Sequence, residues 1–135
     1  MSTGGQLVVF GLNNQKYALP IEHVSEIIRM VKVTEIPNSE HYCKGIINLR
    51  GAVVAVISLG LRLGLLESKA DKESRIIVTE SGGRKLGLVV DNVYSVTRFK
   101  GDELEELDTD NKFVDKVLNN ADGTILLLNL PQIIN

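Results

Sequence analysis

A chain of 135 residues has room for one compact domain or for two small, tightly joined halves. Its net charge of -2, split as +1 over residues 1–67 and -3 over residues 68–135, offers no basic field for phosphate, and 4% aromatic residues without Trp leave no platform for stacking bases. A single cysteine, Cys43, excludes an internal disulfide and points to a reducing cytosol.

Met1 to Gly5 has neither a basic segment nor an apolar core, so no secretory signal is expected. Gln6 to Leu12 reads as a strand, Asn13-Asn14-Gln15 as a turn and Lys16 to Pro20 as the return strand, ended by the proline. Ile21, Val24, Ile27 and Ile28 predict one helical turn running into a third strand. Ile28 to Ile36 mixes Met30, Val31 and Val33 with Arg29, Lys32 and Glu35, the pattern of a strand partly open to water, and Pro37-Asn38-Ser39 stops it. Ser39 to Tyr42 fits a short capped turn.

Lys44 to Leu59 is the most informative stretch. Two apolar runs flank the polar turn Asn48 to Gly51, where Gly51 can take positive φ. The second run, Ala52 to Ile57, is uncharged and rich in β-branched residues, which suits a strand buried on both faces. The longest uncharged run near the middle, Gly51 to Leu61, falls short of the ~20 residues that cross a bilayer as a helix. Leu59 to Leu66 predicts one or two helical turns, and Glu67 to Glu73 a polar linker. Arg75 to Glu80, the turn Ser81-Gly82-Gly83 and Lys85 to Val90 form a second hairpin, followed by Val93, Val96 and Phe99. Gly101 to Asp110 is acidic and expected to be exposed. Val114 to Leu118, a turn over Asn119 to Gly123 and Thr124 to Asn129 give a last hairpin, and Leu130 to Ile134 a closing helical turn.

The two halves resemble each other. An offset of 69 places Val9 on Val78, Lys16 on Lys85, Leu19 on Leu88, Glu22 on Asp91, Val24 on Val93 and Arg29 on Arg98. An offset of 72 places Asn48 on Asn120 and Gly51 on Gly123. The expectation is two similar all-β units of about five strands each, too small to be stable singly and therefore sharing a core, with Val24 and Val93 at its seam.

Motifs for chemistry are missing. There is no G-x-x-x-x-G-K-[ST] and no G-x-G-x-x-G, and Val56 stands where a nucleophile elbow around Ser58 needs glycine. His23, His41 and Cys43 lack metal-ligand spacing, so no metal or cofactor is expected. A binding module therefore outranks an enzyme; the competing reading is a small enzyme using Cys43 or the acidic run Asp102 to Asp108.

Ile36-Pro37-Asn38-Ser39, Tyr42, Lys44-Gly45-Ile46-Ile47-Asn48-Leu49-Arg50-Gly51, Val53-Val54, Val56-Ile57 and Leu59 resemble the signature of the CheW-like adaptor family. Gly87 to Val93 resembles its second-half motif and Val24 to Ile27 the first-half counterpart. Two departures stand out: Ala55 replaces the usual proline, and Ser58 the usual aspartate or asparagine. Both are expected to alter local turn or edge details and not the fold. Many relatives also run on beyond the position of Ile134.

The resemblance implies two SH3-like five-stranded β-barrel subdomains packed on a shared core as a single domain, with short helical turns. It implies a non-catalytic, cofactor-free chemotaxis adaptor that couples chemoreceptors to the histidine kinase CheA. With no kinase or receiver segment in the chain, a standalone adaptor is expected. The implied partners are the kinase regulatory domain and the cytoplasmic, helical tip of the receptors, with no nucleic acid and no membrane insertion. The implied state is a cytoplasmic monomer recruited to receptor arrays at the membrane. The implied receptor-binding residues are Val8, Ile21, Val24, Glu26, Ile27, Gly87, Val93 and Val96; the implied kinase-binding residues are Thr34, Gly45, Arg50 and Val53. The aliphatic ones equally suit ordinary core. An adaptor of another CheA-type system, governing pili or development, fits the same residues.

Overall fold

The computed structural model describes residues 4–67, 69–121 and 123–134. The reading of Met1–Thr3 as leaderless, Ser68 of the polar linker and Asp122 of the last turn lie outside them. The strands are β1 (Gly5–Leu12), β2 (Gln15–Pro20), β3 (Val24–Arg29), β4 (Cys43–Leu49), β5 (Ala52–Ser58), β6 (Arg75–Ser81), β7 (Arg84–Val90), β8 (Asn92–Phe99), β9 (Leu104–Glu106), β10 (Val114–Asn120) and β11 (Gly123–Leu128). Short helices α1 (Leu59–Arg62) and α2 (Leu130–Ile134) follow β5 and β11.

These strands form two sheets, ordered β8-β1-β2-β11-β10-β9 and β3-β6-β7-β5-β4. The halves of the sequence are therefore not the units of the fold. After β2 the chain passes through a 3-10 turn, Ile21–His23, into the other sheet; after β7 it crosses back through Asp91. Each sheet takes two strands from one half and the remainder from the other.

The internal likeness survives as an approximate two-fold. β1, β2, β3, β4 and β5 correspond to β6, β7, β8, β10 and β11, and every pairing in one sheet has its counterpart in the other. Even irregularities repeat: the register skips Ser25 on β3 and Tyr94 on β8, at the offset of 69. In the later strands the offset is 71, not 72, because Asn48↔Val53 corresponds to Asn119↔Thr124 and Leu49↔Ala52 to Asn120↔Gly123. Two residues added between β8 and β10, relative to the segment between β3 and β4, account for the change.

Alternation of side chains along strands explains the burial. On β1, Leu7 and Val9 face a small cluster with Ala18, Leu118, Ile125 and Leu127 inside the first sheet, while Phe10 and Leu12 face a cluster shared between the sheets. That shared cluster includes Leu19, Ile57, Leu59, Ile77, Leu88, Leu128 and Leu130. Ile47, Val54 and Val56 fill the second sheet, joined by Ile28, Val33 and Leu49 from its edges. Each sheet thus curls around its own apolar centre, barrel-like.

Closure of the second sheet corrects one expectation. β3 ends at Arg29, and the segment to Ile36 is no strand; it returns only as a bridge, with Thr34 N and O bonded to Ile46 O and N at 2.9 Å each. Its counterpart in the first sheet is β9, a short strand inside the acidic segment Gly101 to Asp110, which is mostly exposed as expected. A second correction concerns β5. Its later residues are buried, but Ala52, Val53 and Ala55 are exposed, so the strand presents one face to solvent over its first half.

Candidate functional site

At the seam between the sheets, β3 and β8 lie at the edges, one from each half of the sequence. Val24 and Val93, related by the two-fold, pack half-buried against the shared cluster. Beside them Ile21, Ile27 and Val96 are exposed, at 37%, 38% and 52%. Ile27 stands on β3, Val96 on β8 and Ile21 on the 3-10 turn before β3, and together they give this side an apolar surface.

Two assigned residues do not line that surface. Val8, 2% exposed, is sealed on β1. Gly87 is also buried: a Cβ there would lie 2.9 Å from Ile76 Cγ2 and 3.2 Å from Val56 Cγ2. Its counterpart at the offset of 69 is Ala18, fully buried. Both positions are small because the curled sheet leaves little room, so the close approach at Gly87 is internal.

The Arg50 end of the second sheet is built by turn geometry. Leu49 pairs with Ala52, leaving the two-residue loop Arg50-Gly51, and both take positive φ, 50° and 87°. Such primed turns match strand twist. Asn48 Oδ1 accepts from Gly51 N at 2.9 Å. The turn aims Arg50 across the barrel closure at Glu26 of β3, where the guanidinium grips both carboxylate oxygens, Nη1 to Oε1 at 3.1 Å and Nη2 to Oε2. Those bonds hold the Glu26 carboxyl below the usual range, with the charge of Lys85 adding to the effect. They likewise raise Arg50. Glu26, assigned to the receptor, and Arg50, assigned to the kinase, are thus brought together as one ion pair.

Thr34 is exposed on the segment that closes the barrel, and Val53 is 68% exposed on β5. Gly45, assigned with them, is buried with φ 137°, and a Cβ on it would collide with the Thr34 carbonyl oxygen. It serves the closure.

Tyr94 is an exposed aromatic residue outside the expected site. It sits 49% exposed at the β8 irregularity with Lys16 Nζ 4.9 Å from its ring centre. The signal in the sequence is its place opposite Ser25 in the repeat. Ser58 caps α1: its Oγ accepts from Leu61 N at 3.2 Å, and serine, aspartate and asparagine are all favoured N-caps. Cys43 is half-buried, and among the described residues no three His, Cys, Asp or Glu side chains group to hold a metal ion.

The family model described as CheW-like domain matches residues 6–135. A chemotaxis protein CheW of Bacillus subtilis is 36% identical over 78% of this chain and 67% of its own length. That of Helicobacter pylori is 28% identical over 96% and 81%. The crystal structure of the scaffolding protein TtCheW from Thermoanaerobacter tengcongensis superposes with a TM-score of 0.91 at 34% identity, covering 98% of this chain and 89% of that one. No helix among the described residues is long and apolar enough to cross a membrane. With two curled sheets around a shared core, apolar residues exposed on its edge strands and the family model spanning nearly its whole length, the chain belongs to the CheW-like family and is a chemotaxis adaptor.

Proposed function

We propose that the chain couples the cytoplasmic tips of chemoreceptors to the regulatory domain of the histidine kinase CheA, in the cytoplasm and at membrane receptor arrays. The observation that carries this is the exposed aliphatic surface beside the seam, Ile27 on β3, Val96 on β8 and Ile21 on the turn before β3. A helical hairpin lays a stripe of apolar residues into such a surface. Val24 and Val93 form its floor. The kinase side is the exposed face of the second sheet, with Thr34 as a polar and Val53 as an apolar contact and Arg50 setting register. The pair Arg50–Glu26 links the two sides, so it contributes to specificity more than to affinity. Contacts of this size strengthen by effective concentration once receptors, kinases and adaptors share one array.

The test inserts charge where nothing is buried. Ile27→Glu and Val96→Glu should leave the thermal transition in place and weaken binding to a receptor-tip fragment, while CheA binding is kept. Val53→Glu should do the reverse. Loss of stability in step with loss of binding would return these residues to ordinary core.

A further inference from the structure

The geometry points to Arg62 as the residue that fixes the angle between the two sheets. It closes α1, and its guanidinium lies between two rings, 4.8 Å from the centre of Tyr42 and 4.8 Å from that of Phe113. Nε donates to the Ile133 carbonyl at 3.0 Å and Nη2 to the Gln132 carbonyl at 3.2 Å. Tyr42 leads into β4 of the second sheet and Phe113 into β10 of the first.

The offset of 71 shows what this place is. It carries Tyr42 to Phe113, and each backbone carbonyl accepts from the residue that caps the adjoining helix, Ser58 N to Tyr42 O at 2.8 Å and Asn129 N to Phe113 O at 2.8 Å. It also carries Arg62 to Ile133, the residue whose carbonyl Arg62 binds. A side chain bonded to its own counterpart lies on the approximate two-fold axis. Only one cation fits on an axis, since a second would meet it head on; the counterpart Ile133 is apolar and 2% exposed.

The shared cluster attracts without direction and tolerates small rotations of one sheet on the other. A planar fork held by two ring faces and two carbonyls does not. It also satisfies carbonyls at the end of α2, which a helix leaves without partners. Arg62 is therefore a positioning residue, which sets how faces on the two sheets are presented together. Its consequence for assembly, though not the clamp itself, rests on the adaptor reading above.

Spin labels on a Cys43→Ser background at Asn48 and Asn119, counterparts on the two outer hairpins, report the angle as a distance. Wild type should give one narrow distribution. Arg62→Ala and Phe113→Leu should broaden it, and Arg62→Lys should broaden it less, with far-ultraviolet circular dichroism unchanged. Binding to a CheA regulatory fragment alone should stay within about twofold, while the three-component complex with a receptor-tip fragment should weaken about tenfold. Should Arg62→Ala not fold, Phe113→Leu, which keeps apolar volume, carries the test. An unchanged distribution in the folded variants overturns the clamp. A broadened distribution with undiminished three-component assembly upholds the clamp and overturns the coupling of two faces.

Discussion

Arg50 holds a backbone conformation that few non-glycine residues adopt, φ 50°, because a two-residue hairpin loop needs positive φ at both places. Asn13-Asn14 and Gly82-Gly83 meet the same need with residues that tolerate it. At Arg50 the side chain supplies a reason of its own, the grip on Glu26. Because folding lowers the Glu26 pKa, the pair adds stability above the titration of an unfolded glutamate, about 4.3, and loses it as pH falls through the lower folded value. Carboxyl-detected NMR should find Glu26 titrating low in the wild type and returning upward in Arg50→Ala; an unmoved midpoint would deny the pair in solution. Ser58 tests a different contact. Ser58→Ala should cost about 1 kcal/mol and lower Tm by about 4 °C, Ser58→Asp should retain stability, and thermal melts decide. Arg50 was legible as a turn residue, since Gly51 marks the reversal. The cap was not, because a serine after an apolar run gives no sign of where a four-residue helix begins.

At the scale of elements, the hairpins were the readable part. Paired apolar runs around Asn13-Asn14, Arg50-Gly51 and Gly82-Gly83 state both the strands and their register. What escaped was closure. β9 lies in a run of carboxylates, and Met30 to Ile36 has strand-like composition without a continuous partner. In both places a strand is made or lost by what the curled sheet brings alongside, which local pattern does not record. Gly45 is the hinge of that closure. Gly45→Ala puts a methyl against the Thr34 carbonyl and strains φ 137°, so it should destabilise by about 1–3 kcal/mol. Denaturant titration measures the loss, and faster amide exchange at Thr34 and Ile46 should accompany it, because those amides form the bridge. Slow exchange there in the folded variant would mean that the bridge does not depend on the glycine.

For the whole molecule, self-similarity announced two β units but not that they trade strands. The hairpins β1–β2, β4–β5, β6–β7 and β10–β11 are the same whether each half folds on itself or crosses over. Only the long-range pairings differ, β3 with β6, β8 with β1, and the parallel contacts β5 with β7 and β11 with β2. Nothing in a strand's own residues names a partner that far away. The exchange has a thermodynamic consequence: neither sheet can come apart while its neighbour stays folded, since each holds strands of both halves. Phe10 lies in the shared cluster and is fully buried. Phe10→Ala should cost about 3–5 kcal/mol and lower the stability of both sheets together. Amide exchange at Val54, in the cluster of the second sheet, and at Leu118, in that of the first, reads the two independently. Both should show the same free energy of opening, falling by the same amount in the variant, as one cooperative transition requires. Two separate values, with only the first sheet weakened, would mean that the crossing chains act as tethers between independent barrels and that the seam is a contact and not a common core.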